Sequence, residues 1–295
     1  MKRLKAKVER AEGREGADVE SRISLLPRPP LLLFALLLLF ASVTLAGACR
    51  RNTGEGPERA REAWDSGDYR AAAEEYEAYL GHSPTGEQSL QARFQLANIY
   101  YLNLHRPDQA RAHYDEFLKE DPANAEAHVA RERLAEVLGE LGRSYDAIAE
   151  YEKLNPPDAA EHRRIRLRIA DLYFDQKNYS QALTEYEKVI EGADYDDLSE
   201  RAYLREASIY NARGQYQLSL GVYEKLASLS GDAAAQMRAT YGMADCYEGL
   251  YKFDEAIKTL REIKDDGERE HVTRRIARLE QQKREAAQAR AGLTQ

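Results

Sequence analysis

The chain has 295 residues, of which 43% are hydrophobic and 32% charged, with 9 Pro, 2 Cys and a formal charge of −8. So acidic a chain repels phosphate backbones, which excludes nucleic acid as an expected partner, and Cys49 and Cys246 are too few for a disulfide framework or a cysteine zinc site. After residue 56 the sequence is dominated by Ala, Glu, Leu, Arg and Tyr, which is helix-forming material.

Residues 1–48 read as an address. A basic stretch (Lys2, Arg3, Lys5, Lys7, Arg10, Arg14, Arg22, Arg28) precedes the uncharged segment 29–48, PPLLLFALLLLFASVTLAGA, whose run Leu31–Leu45 is almost purely Leu, Phe and Ala. Basic leader, apolar run and closing small residues are the layout of a secretory signal. The leader is long and carries Glu9, Glu12, Glu15, Asp18 and Glu20.

The end of the run, Leu45-Ala46-Gly47-Ala48-Cys49, resembles a bacterial lipobox, although Ala46 stands where that pattern has Leu. The resemblance implies that Cys49 is acylated and becomes the first mature residue, with each buried CH₂ of the acyl chains contributing about 0.8 kcal/mol of membrane affinity. Two other readings stay open. Ala46-Gly47-Ala48 also satisfies the rule of ordinary signal cleavage, which gives a periplasmic protein, and 20 uncharged residues suffice for an uncleaved inner-membrane anchor. By resemblance to sorted lipoproteins, Arg50 after the cysteine implies an outer-membrane lipoprotein facing the periplasm. Residues 49–56 then form a lipidated tether.

From residue 57 onward the sequence repeats itself. The phrases GDYRAAAEEYEAYL, DQARAHYDEFL, SYDAIAEYEKL, NYSQALTEYEKVI, QYQLSLGVYEKL and KFDEAIKTLREI align around the small residues Ala72, Ala110, Ala147, Ala182, Ser219 and Ala256, spaced 38, 37, 35, 37 and 37. Four residues after each stands Tyr76, Tyr114, Tyr151, Tyr186, Tyr223 or Leu260. A preceding helical stretch carries its own small residue, Ala97, Ala135, Ala170, Ala207 or Ala244, so each unit is a helix pair. A small residue at the crossing lets two backbones approach, and the large residue one turn on fills the neighbouring hole. One pair cannot bury its apolar face alone, so pairs stack.

The pattern resembles the tetratricopeptide repeat (TPR), with turn and second-helix phrases such as Gly67-Asp68-Tyr69, Ala72, Tyr76 and Pro84. The resemblance implies an all-α superhelical solenoid of about six helix pairs over residues 57–265. Val272, Ile276 and Leu279 on one stripe make residues 266–295 a capping helix and tail. Pro156-Pro157 stops the third unit early.

No residue set points to catalysis. The chain lacks G-x-S-x-G, P-loop and G-x-G-x-x-G motifs, its six histidines form no pair at metal-ligand spacing, and the recurring tyrosines read as core fillers. Cys246 reads as a small packed residue and Asp194-Tyr195-Asp196-Asp197 as a solvated turn. The expectation is a non-enzymatic scaffold with no cofactor, metal or small-molecule substrate, whose partners are proteins or peptides of the cell envelope and the membrane.

In a TPR stack the leading helix of each pair lines the concave face. The resemblance therefore implies partner contacts at Phe94, Asn98 and Tyr101, at Glu132 and Glu136, at Leu167, Asp171 and Phe174, at Leu204, Ser208 and Asn211, and at Tyr241, Asp245 and Glu248. Arg164, Arg201 and Arg238, at intervals of 37, form a basic stripe along one edge. Among lipidated or anchored TPR proteins, the opening phrases resemble the TPR lipoprotein of the outer-membrane β-barrel assembly machine. The pilotin lipoproteins of type IV pilus secretins and the periplasmic TPR protein associated with Tol–Pal are the alternatives.

Overall fold

The computed structural model describes residues 56–82, 85–156 and 158–292. The address segment, Cys49, Pro84 and Pro157 lie outside the described residues. The contacts divide the chain after Glu58, and the second unit, from Arg59 on, holds the repeats.

Thirteen α-helices and no strand occur among the described residues. They are α1 (Gly56–Asp65), α2 (Tyr69–His82), α3 (Glu87–Asn98), α4 (Pro107–Glu120), α5 (Ala127–Glu140), α6 (Ser144–Glu152) and α7 (Ala159–Asp175). Then follow α8 (Tyr179–Ile190), α9 (Asp197–Ala212), α10 (Tyr216–Leu229), α11 (Ala233–Gly249), α12 (Phe253–Leu260) and α13 (Arg269–Gly292). Helices α1 to α12 make six pairs and α13 closes the last. Its stripe docks as expected, with Val272 and Leu279 buried against Ala256 and Leu260. No described helix is long and apolar enough to cross a membrane. Helix α1 begins at Gly56, inside the expected tether.

The small residues sit where the crossings are tightest: Ala72, Ala110, Ala147, Ala182, Ser219 and Ala256 are all fully buried, as are Ala97, Ala135, Ala170, Ala207 and Ala244. Ala60, also fully buried, is the matching residue of α1. Tyr114 and Tyr186 are fully buried and Tyr76, Tyr151 and Tyr223 nearly so, each such side chain contributing about 1.5–3 kcal/mol of apolar burial. Cys246 is buried and unbridged.

One backbone device recurs in every pair. Gly67, His105, Gly142, Lys177, Gly214 and Tyr251 have positive φ, and each stands five residues before the small residue of its second helix. The left-handed residue ends the first helix, and the amide after it returns to a carbonyl five residues back, as from Arg143 to Leu138 and from Asn178 to Tyr173. In the second pair that amide, Arg106, returns to Tyr100, six residues back.

The extra residue explains the irregular period. The two small residues of a pair are 12 apart in five pairs but 13 apart from Ala97 to Ala110, and there α3 ends in a π turn over Ile99–Asn103. A π turn absorbs one inserted residue without disturbing the helix on either side. The shortest spacing, 35, falls where α6 stops after only 9 residues.

Two details depart from expectation. Tyr145 is no core filler but 65% exposed. Its counterparts have platforms: Tyr69 meets Trp64 edge-on and Tyr179 lies under Arg213, while Tyr145 belongs to the pair with the short second helix. Nor is the acidic turn merely solvated. Asp196 caps α9 in a capping box with Ser199 and takes a bidentate pair from Arg163 of α7 at 2.6 and 2.8 Å.

Candidate partner-binding face

The first helices of the pairs, α3, α5, α7, α9 and α11, present the positions that the sequence nominates. Two of these residues are unavailable to a partner. Phe94 is buried against Tyr114 and Phe117 of α4, with ring centroids 6.3 and 5.4 Å away. Leu167 is 1% exposed, within the core that holds Tyr186 and Val189. At this position, three residues before the small crossing alanine, Phe94 and Leu167 turn into the core, whereas Leu204, Tyr241 and Glu132 are only half-buried.

Two of the residues just after the crossing alanines are anchored by a tyrosine from the second helix of their own pair. The Tyr114 hydroxyl donates to Asn98 Oδ1 at 2.6 Å, and that of Tyr186 to Asp171 Oδ1 at 2.7 Å. Burial pushes the Tyr186 phenol upward, and the Asp171 carboxylate that accepts its proton pushes it further. Glu136 accepts from Arg133 at 3.0 Å, Ser208 is half-buried, and Asp245 is exposed and paired with Arg275.

One turn later, the Tyr101 hydroxyl donates to Glu140 at 3.1 Å, and Phe174 lies 4.8 Å beneath the Arg205 guanidinium. Asn211 accepts from the Cys246 thiol at 3.4 Å. Glu248 pairs with Arg278 at 3.1 Å. Leu204 packs half-buried beside Tyr203. The Tyr241 hydroxyl donates to Glu268 at 2.7 Å, and burial together with that carboxylate pushes its phenol up to about 12.

The basic stripe has a structural occupation. Arg164 donates to Glu132, Arg201 to Asp171 at 3.1 Å and Arg238 to Glu200 at 3.0 Å, each acid belonging to the first helix of the preceding pair. Burial raises the Glu132 carboxyl, but the hydrogen bond and charge of Arg164 outweigh it, so Glu132 titrates below the usual range. Arg275 of α13 extends the series onto Asp245 and Glu248 of α11. These arginines are rungs between successive first helices.

A second row escaped the sequence reading. Arg133, Arg168 and Arg205 stand two residues before their crossing alanines at intervals of 35 and 37, a signal as plain as the first stripe. Arg168, Arg201 and Arg205, with Tyr101 and the acids Glu136, Glu140, Asp171 and Asp175, line a cleft of about 520 Å³ across α3, α5, α7 and α9. It brings together four of the nominated residues, Tyr101, Glu136, Asp171 and Arg201. The walls interleave both charge signs around aromatic edges, which suits an extended polypeptide carrying both polar and apolar side chains.

Models of the tetratricopeptide repeat match residues 58–103, 99–162 and 167–236, and a further one matches 238–266. The chain belongs to the tetratricopeptide-repeat family. It is accordingly a TPR scaffold of the kind through which proteins and peptides are bound. Among solved structures it is similar to a TPR protein of Parabacteroides merdae, at 23% identity and a TM-score of 0.50, over 71% of this chain and 78% of that one. It is also similar to Naa15/Naa10 bound to HypK, at 18% identity and a TM-score of 0.52, over 76% of this chain and 33% of that one. Pseudomonas aeruginosa pilF aligns at 16% identity and a TM-score of 0.44, over 72% of this chain and 90% of that one. At such identities the first two likenesses describe the fold alone. No curated protein matches this TPR chain in sequence.

Proposed function

We propose that this TPR protein is a lipid-tethered scaffold of the bacterial cell envelope that holds polypeptide partners during outer-membrane protein assembly. The observation that carries the reading is the order of its parts: an apolar run closed by small residues and Cys49, then six helix pairs with a mixed polar and aromatic cleft. Six residues, seven Cα–Cα steps, separate Cys49 from the start of α1 at Gly56. Even fully extended, they span at most about 25 Å, so acylation at Cys49 keeps the first repeat close to the bilayer surface.

Two measurements test this together. Labelled palmitate is expected to enter the wild-type protein in cells and not Cys49→Ala, and equal labelling of both refutes the lipid tether. A photo-crosslinking amino acid in place of Tyr101 is expected to capture components of the β-barrel assembly machine. Capture of secretin subunits or of Tol–Pal components instead refutes the assembly role and assigns the scaffold to that machine.

A further inference from the structure

Helices α5 and α7 bring two side chains of one helix together with a third from the next pair. His128 and Glu132 stand one turn apart on α5, and Glu161 lies in the first turn of α7. His128 Nε2 is 3.8 Å from Glu161 Oε1, and one ligating atom from each of the three residues lies within 4.8 Å of the others. The His128 side chain is 37% exposed, but its Nε2 is itself shut off from solvent and has no hydrogen-bond partner. A neutral imidazole nitrogen needs a proton to donate or an electrophile to receive its lone pair. The oxygens before it are carboxylates, which also offer lone pairs.

We propose that His128, Glu132 and Glu161 form a Zn²⁺ site that clips the third helix pair to the fourth. One imidazole nitrogen and two carboxylate oxygens are a donor set that zinc accepts at bond lengths of about 2.0–2.2 Å, with a fourth position left open. In a tetrahedron such bonds set the donors about 3.4 Å apart, so the observed separations close by small rotamer changes. The nitrogen donor selects zinc over magnesium or calcium, which prefer all-oxygen shells.

The two carboxylates already attract a cation. Arg164 hydrogen-bonds Glu132, and its second terminal nitrogen lies 3.5 Å from Glu161. One guanidinium leaves the pair of acids with net negative charge, and its side chain is 39% exposed, so it can swing into water when a dication arrives. Arginine and zinc therefore compete for the same oxygens. That competition separates a built site from casual binding to an acidic surface, because removing a positive charge at Arg164 favours zinc while leaving all three ligands in place.

Calorimetric titration of the full chain in detergent micelles with zinc chloride tests the assignment, with magnesium chloride as the control. One saturable zinc site is expected and no magnesium binding. His128→Ala and Glu161→Gln should each weaken zinc binding about tenfold or more, and Arg164→Gln should tighten it severalfold, with helical circular dichroism unchanged in all three. Zinc binding equal in wild type and His128→Ala, weaker binding by Arg164→Gln, or no saturable site overturns the proposal.

Discussion

Gly242 of α11 is the position where a single added methyl group does most harm. The hydroxyl end of the Tyr223 ring, from the second helix of the preceding pair, lies over it, and an alanine Cβ there would fall inside the van der Waals envelopes of Cζ, Cε1 and Cε2. Carbon atoms rest at about 3.5–4.0 Å, and Tyr223 is buried, so the ring has little room to retreat. Overpacking of this kind costs about 1–3 kcal/mol. The opposing term is helix propensity, which favours alanine over glycine by about 0.8–1 kcal/mol. Gly221 of α10 isolates that second term, since a Cβ there meets nothing within 4 Å. Gly221→Ala should stabilise by roughly the propensity alone, and Gly242→Ala should lie about 1–3 kcal/mol below it. In a domain of this size that difference is about 2–12 °C in melting temperature. Thermal melts followed by circular dichroism give the comparison, and hydrogen exchange should place the loss in α10 and α11. A Gly242→Ala protein that melts at or above Gly221→Ala refutes the close approach of ring and backbone.

Three further expectations follow from the same geometry. Ala182→Leu or Ala147→Leu, at fully buried crossings, should cost about 1–3 kcal/mol or more and broaden the melt, while Ala289→Leu on the exposed side of α13 should be nearly silent; an unchanged midpoint at Ala182 counts against the crossing. Lys177→Gly and Tyr251→Gly should each raise stability, by about 0.5–1 kcal/mol, because a left-handed residue other than glycine carries a steric cost; loss of stability in urea unfolding contradicts this. The Arg163 hydrogen bonds hold the Asp196 carboxyl well below its ordinary value. Its contribution is therefore complete above the unfolded-state value of about 3.9 and lost as pH falls below it. Asp196→Ala should cost about 0.5–2 kcal/mol at neutral pH and flatten the acid limb of a stability-versus-pH curve; a parallel curve contradicts the pairing.

The repeat architecture was legible because its signal is covalent spacing. Ala72, Ala110 and their successors recur at intervals of 35 to 38, and a fully buried crossing admits only a small residue, Ala or, at one crossing, Ser219, so the pattern is readable in the letters. The partner face was only half legible. Counting from the crossing alanine reaches Tyr101, Glu136 and Asp171, which line the cleft, but also the buried Phe94 and Leu167, because position on a helix does not decide which way a large apolar side chain turns. The arginine stripe was visible as a row but its partners were not, since Glu132, Asp171 and Glu200 stand at 32, 30 and 38 residues from their arginines and share no common spacing. His128 and Glu161 were invisible for the same reason: they meet only after two pairs have stacked.

The π turn at Ile99–Asn103 bears on how such an array changes over generations. One extra residue in a regular helix would rotate everything after it by about 100°, carrying Tyr101 off its face and swapping inward and outward positions downstream. Here the extra residue is taken up within a single turn, and His105, Ala110 and Tyr114 keep the phase of their counterparts. A one-residue insertion at this place is thus a change the fold accommodates, and deleting a residue between Ile99 and Asn103 would return the unit to the length of its siblings. The array can accept small errors of length where a helix ends, and the later units need never be rewritten to match.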